Sequence, residues 1–377
     1  MNKLKKRESG IEMLKIIGIF LIIISHVTQT LYTPNEYFDM KYVVEVKYAT
    51  KNIQNILLAW FSSFGAQGNL IFFICSAYFL LENKKIDDKK IIRLLIDVWV
   101  INFSILCIFV VGSWYELSIK IIIKSIFPTI FATNWYITFY ILFYLIHLGL
   151  NLVIQKITQK DHLIIILITL LLYFGLNYIK YGLFFTTPLI EFSIIYFVIA
   201  YIKLYLKKFS KNLKLNYILF LISILGIQLL ILVTNFLGLN IGFFYDKLQH
   251  WNKNNSIFLL LTAISLFNIF NSKKFINDKI NYISSLSLLI YIIHENIIIR
   301  TYLRPTIWIY IHERIGYKYI ILLDLLYSII VFIISMIIAW IYKRFIQNSI
   351  YKMVIKIYEK IKIIINKIVM QLTAYLK

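Results

Sequence analysis

Long apolar runs, broken by short gaps rich in Lys, Asn and Asp, set the pattern of the chain. A helix needs about 20 apolar residues to cross a bilayer, and ten runs approach or reach that length. They are predicted as transmembrane helices over 13–31, 56–81, 91–112, 135–154, 162–179, 187–206, 216–238, 256–271, 284–300 and 319–342, the eighth being the shortest. None shows the sustained period-2 alternation of an outer-membrane barrel strand. Past residue 342, apolar residues recur three and four apart with lysines between them, which predicts an amphipathic helix on the membrane surface. The expected fold class is thus an all-α polytopic integral membrane protein. It would have a ten-helix membrane domain over 1–342 and a basic amphipathic C-terminal helix over 343–377.

Composition agrees with this solvent. The 377 residues are 60% hydrophobic and 15% charged, with a mean hydropathy of +0.77, where a soluble domain carries about 25% charged residues. The net charge is +22, but most of the basic residues fall in alternate gaps. That asymmetry reads as a positive-inside signal with both termini cytoplasmic. No polar segment interleaves basic and aromatic residues, so nucleic acid is not an expected partner. Pro34, Pro128, Pro188 and Pro305 fall in or beside predicted outer loops, where a helix breaker is tolerated. Cys75 and Cys107 lie in apolar segments without metal-ligand spacing. No His, Cys and carboxylate set has zinc spacing, so no metal site is expected. A Gly-rich phosphate loop and a nucleophile elbow are also lacking. The first apolar run has no small-residue cleavage site and reads as a retained span. Abundant Ile, Lys and Asn suggest an AT-rich bacterial genome, and hence a bacterial cytoplasmic membrane.

The first helix raises a chemical question. Eleven residues separate Lys15 from His26, a rotation that returns to within about 20° of the start and a rise of about 16 Å. Lys15, Ile19, Ile22 and His26 form one stripe, with Glu12 near the same face. Ionisable groups in hydrocarbon usually face a bundle interior or a wet cavity. Histidine suits general-base chemistry, and a packing hydrogen bond to a neighbouring helix is the other reading. In the ninth predicted helix Ser284, Ser287, Tyr291 and His294 share a face, again for interhelical bonding or for lining a pore. His147, His162, His250 and His312 lack such patterns. Arg93 and Asp97, four apart, suggest an ion pair within one helix. Glu191 and Asp324, near the outer ends of spans, read as solvated at the interface.

Several stretches resemble one known family. Arg7, Glu12, Lys15 and His26 in that order resemble the opening of the membrane acyltransferase-3 family. Where this chain has Glu12 and Lys15, the family usually shows Asp and Arg. Both replacements keep the charge, although Lys loses the bidentate fork of Arg. "NLIFFICSAYFLL" (69–81) resembles the family's paired-Phe, Ser-Gly-Phe motif, with Ser76 kept, Ala77 for Gly and Tyr78 for Phe. "NWYITFYILFYL" (134–145) resembles its Trp-containing fourth helix, and "SSLSLLIYIIHENIIIR" (284–300) its late S-x-x-I-Y-x-x-H segment. "IEFSIIYFVIAYI" (190–202) is similar to the sixth helix.

The resemblance implies transfer of an acyl group, most often acetyl, from acyl-CoA to a hydroxyl of a cell-surface or capsular polysaccharide, or of its lipid-linked precursor. Acyl-CoA would be a substrate; no permanently bound cofactor is expected. Arg7, Lys89, Lys90 and Arg93 would bind the donor, with Lys84 and Lys85 in the same basic loop. Lys15, oriented by Glu12, would help hold it. His26 would act as general base or carry the acyl group briefly. Ser76, Trp135, Tyr136, Tyr291 and His294 would line the pore or acceptor site. Many relatives carry an extracytoplasmic esterase-like domain. This chain would either complete transfer alone or use a separate extracytoplasmic partner. A polysaccharide flippase or solute transporter is the alternative class, although no inverted repeat supports it.

Overall fold

The computed structural model describes residues 8–30, 47–180 and 182–375, without the side chains of 370 and 372–375. Among the described residues the structure is helical, with no strand. Eight helices there are long and apolar enough to cross a membrane. They are α1 (Ser9–Thr30), α2 (Ile53–Leu80), α3 (Asp88–Gly112), α4 (Trp135–Lys156), α5 (Gln159–Ile179), α6 (Pro188–Tyr205), α7 (Leu213–Asn240) and, after three more elements, α11 (Tyr317–Val369). Between α7 and α11 lie the shorter apolar α8 (Ile257–Ser272) and a pair, α9 (Asp278–His294) and α10 (Ile299–Ile315), bent by 68°. The bundle therefore has a lysine-rich end, where α1 begins and α2 ends, and a far end, where α1 ends and α2 begins.

The α1 helix is central, contacting α2, α8, α9, α10 and α11. It packs tightly against α2. A Cβ on Gly68 would collide with the Gly18 carbonyl oxygen, and one on Gly18 would meet the Ile71 and Phe72 side chains at 3.1–3.3 Å. Small residues let helix backbones approach this closely in a membrane, where packing replaces the hydrophobic effect as the source of association. The core continues through Leu14, Ile23, Phe73, Ile74, Phe143 and Tyr196, all buried. By contrast, α7 exposes Leu221, Ile222, Leu225, Leu229 and Phe236, a face suited to acyl chains.

Three sequence expectations change. The loop expected after residue 300 is helical, because α10 continues past a π-turn at Ile299–Leu303 and holds Pro305 in the first turn of its α-helical part. Its charged residues lower the hydropathy and hide it. At the boundary expected at residue 342, a π-turn at Tyr342–Ile346 interrupts α11, and the helix continues beyond it. Half-buried positions recur three and four apart beyond that turn, as at Gln347, Tyr351, Ile355 and Tyr358, and this side meets α3. Asp97 is not paired with Arg93. It accepts hydrogen bonds from Tyr342 (2.9 Å), Gln347 (3.1 Å) and Tyr351 (2.5 Å), while Arg93 lies over the Tyr351 ring. Asp324 is fully buried rather than interfacial, and accepts from the Thr28 hydroxyl at 2.9 Å.

Alanine at Gly68 gains about 1 kcal/mol of helix propensity but must push α1 away from α2. Overpacking of this kind costs about 1–3 kcal/mol, and the obstacle here is backbone. Gly68→Ala is expected to lower the Tm of the detergent-purified protein. An unchanged or raised Tm would show that the two helices are not in tight contact there.

Candidate active site

The polar stripe of α1 faces the polar face of α9. At the lysine-rich end, Lys15 pairs with the nearly buried Glu12 at 3.0 Å, and the Ser284 hydroxyl donates to the other Glu12 oxygen at 2.5 Å. At the other end of the stripe, His26 Nδ1 lies 3.2 Å from His294 Nε2 and 2.9 Å from Glu295 Oε1. Two elements separated by 268 residues are thereby joined at both ends of one interface.

Tautomers follow from the partners. His294 Nδ1 lies 2.8 Å from the Ile290 carbonyl oxygen, which can only accept, so His294 carries its proton on Nδ1. In the neutral ring Nε2 is then an acceptor. Facing His26 Nδ1 are two acceptors, His294 Nε2 and the Glu295 carboxylate. The proton of neutral His26 therefore sits on Nδ1 and leaves Nε2 with a free lone pair.

Glu295 is 5% exposed, and a buried carboxylate needs compensation. Arg304 supplies it, donating from Nη1 to Oε1 at 3.0 Å and to the His294 carbonyl oxygen at 3.2 Å, and from Nε to Thr30 Oγ1 at 3.1 Å. Arg300 approaches Oε2 at 3.5 Å. Both arginines reach Glu295 because the chain breaks and turns there. Asn296 sustains the break. Its side-chain oxygen accepts from the Ile298 and Ile299 backbone amides, at 2.9 and 3.3 Å, as an N-cap does. Its amide donates to Asn102 at 2.8 Å, and Asn102 donates to Asn134 at 3.0 Å.

His26 opens toward the far end, into a cavity of about 410 Å³. Trp135, Asn69, Glu191, Asn252, Lys253 and Asn254 are among its walls. Lys253, in the connection before α8, is half-buried, and desolvation pushes its ammonium pKa down to about 8. Toward the lysine-rich end lies a separate small space of about 10 Å³ between Ile19, Ile22, Phe72, Tyr136, Leu288 and Tyr291, room for about one water molecule. Lys15 and His26 thus share a helix face, with an aromatic and aliphatic constriction between them.

The remaining candidates divide. Tyr136 and Tyr291 stack edge to face at 6.0 Å in the constriction, and the Tyr291 ring also meets His294. Trp135 lines the far-end cavity; Ser76, half-buried on α2, does not. Lys89 pairs with Glu359 of α11 at 2.6 Å, Lys90 lies 4.6 Å over the Tyr144 ring, and Arg93 stacks on Tyr351. Arg7 lies outside the described residues.

Sequence reasoning missed Glu295, Arg300 and Arg304. A carboxylate directly after a helical histidine, with two arginines five and nine residues on, was the available signal. It also missed that His26, His294 and Glu295 offer three ligand atoms within 4.8 Å of one another, a grouping that could hold a metal ion. Arg304 and Arg300 already place two positive charges on that carboxylate, which opposes a divalent cation. The donor set fits a hydrogen-bonded relay better.

The family model Acyl_transf_3, described as an acyltransferase domain, matches residues 8–344. No curated protein and no solved structure matches the chain.

Removing Arg304 leaves a buried carboxylate short of its nearest cation, a loss worth about 3 kcal/mol or more. Arg304→Ala is expected to lower the Tm sharply, and Glu295→Gln added to it should recover part of the loss by neutralising the orphaned charge. If the double variant melts no higher than Arg304→Ala, the pairing does not hold the site.

Proposed function

Because the chain belongs to the membrane acyltransferase-3 family, and so is a membrane acyltransferase that moves groups other than aminoacyl groups, we propose that it is an O-acyltransferase. On this reading the donor is an acyl-CoA, most simply acetyl-CoA, and the acceptor is a hydroxyl of a cell-surface polysaccharide or its lipid-linked precursor. The protein would sit in a bacterial cytoplasmic membrane with its lysine-rich end inward.

The observation that carries the reading is the state of His26. With Nδ1–H held between Glu295 and His294, Nε2 is the basic nitrogen, and the residue borders the far-end cavity. Nε2 takes the proton of the acceptor hydroxyl as its oxygen attacks the thioester carbonyl carbon. The C–O bond forms, the C–S bond breaks, and the proton passes to the leaving CoA sulfur. Glu295 stabilises the transient imidazolium through Nδ1–H, as a fixed carboxylate does beside a catalytic histidine. His26 can instead attack the thioester itself and hand the acyl group on.

The cavity walls suit a sugar. Amide side chains offer both donors and acceptors, and Trp135 offers a flat apolar face. The donor would approach from the end that carries Lys15, Glu12, Lys89, Lys90 and Arg93. Its acyl arm must then part Phe72, Tyr136 and Tyr291, so a movement of those rings belongs to the cycle. The acyltransferase assignment leaves the transporter alternative without support.

The test uses purified protein in nanodiscs, labelled acetyl-CoA and a panel of bacterial oligosaccharides. Wild type should label an acceptor hydroxyl. His26→Ala should lose about 10³-fold or more in rate, and Glu295→Gln about 10²-fold, the range general acid–base groups contribute. A fully active His26→Ala protein would sink the assignment.

A further inference from the structure

A second cavity lies away from His26. It has a volume of about 560 Å³, within the range of small-molecule sites, and sits at the lysine-rich end between α6, α7, α8 and the short helix Lys207–Lys211. No residue of α1 or α9 lines it, so it does not share the walls of the candidate active site.

Four lysines surround it, Lys203, Lys207, Lys211 and Lys274, and no Asp or Glu is among its lining residues. Lys203 is answered, pairing with Glu82 at 2.8 Å and donating to the Tyr78 carbonyl oxygen at 2.6 Å. Among the described residues, Lys207, Lys211 and Lys274 have no carboxylate within ion-pair distance. Positive-inside topology accounts for lysines at this end of the bundle. It does not account for their convergence on one concavity, where like charges repel and low-dielectric walls strengthen the field. Those walls include Ile199, Ile202, Ile264 and Phe267, with Ser210 and Asn271 as hydrogen-bonding groups.

We propose that this cavity is a second binding site, for a phosphate-bearing ligand with an apolar portion next to the phosphate. Ammonium groups act as point-charge partners for phosphate, and each charge-assisted contact is stronger than a neutral one. The aliphatic and aromatic wall receives what adjoins the phosphate. Two sources share that chemistry: an anionic phospholipid headgroup entering from the membrane, and a soluble nucleotide. Neither depends on the acyltransferase mechanism above.

Binding is read as the rise in Tm of the full chain in phosphatidylcholine nanodiscs. One arm replaces part of the lipid with phosphatidylglycerol; the other adds uridine 5′-diphosphate, a nucleotide that is no part of CoA. One of the two should raise the Tm of wild type. For that probe, the Lys207→Ala/Lys211→Ala/Lys274→Ala variant should bind about tenfold or more weakly. The matching triple Arg variant should keep the response. A control, Lys352→Ala/Lys356→Ala/Lys360→Ala on the exposed side of α11, should respond as wild type. The site is refuted if neither probe raises the Tm, if the Lys207/Lys211/Lys274 alanine variant responds as wild type, or if the control loses as much.

Discussion

A carboxylate buried among membrane-spanning helices organises this protein. Glu295 has almost no contact with solvent, and an isolated charge there would be strongly unfavourable. It persists because Arg304, Arg300 and His26 converge on it. The convergence requires the chain to stop being a straight helix at Glu295. An uninterrupted helix would carry Arg300 and Arg304 onward along its axis, and neither could fold back over the carboxylate. The 68° bend, the Asn296 cap and the buried amide ladder through Asn102 and Asn134 are therefore conditions of the ion cluster. The cluster in turn fixes which nitrogen of His26 bears the proton.

That dependence runs outward through the packing. His26 reaches Glu295 because α1 lies at the centre of the bundle, and α1 can lie there because Gly18 and Gly68 let it press against α2. Asp324, buried behind Thr28, ties the same helix to α11. The α11 helix then continues beyond Tyr342 and meets α3 through hydrogen bonds to Asp97 and Asp88 and an ion pair from Glu359. The basic residues at the start of α3 meet aromatic and acidic partners, Arg93 over Tyr351 and Lys89 against Glu359 of α11, and Lys90 over Tyr144 of α4.

The two sides of His26 differ physically. Toward the far end lies an amide-rich, polar cavity; toward the lysine-rich end lies a slit of aromatic and aliphatic side chains. The His26 imidazole therefore borders an open polar cavity on one side and close-packed aromatic and aliphatic side chains on the other.

Much of this was legible in the chain. Apolar runs of membrane-spanning length determined the helices, since lipid leaves an unpaired backbone no alternative. Helical periodicity put Glu12, Lys15 and His26 on one face, and Ser284, Tyr291 and His294 on another, and the two faces do meet. Four motifs in order pointed to the family. What periodicity cannot carry is the partner across a long loop or the effect of a break in a helix. Arg93 and Asp97 have ion-pair spacing, yet Asp97 turns to tyrosines 245 and 254 residues away. Glu295 and Arg304 have no helical spacing that relates them, because the bend between them is stabilised by Asn102 on another helix. The sequence alone determined which faces are polar. Tertiary packing decided which of those groups meet and which cavity they border, because both depend on distances set by other helices.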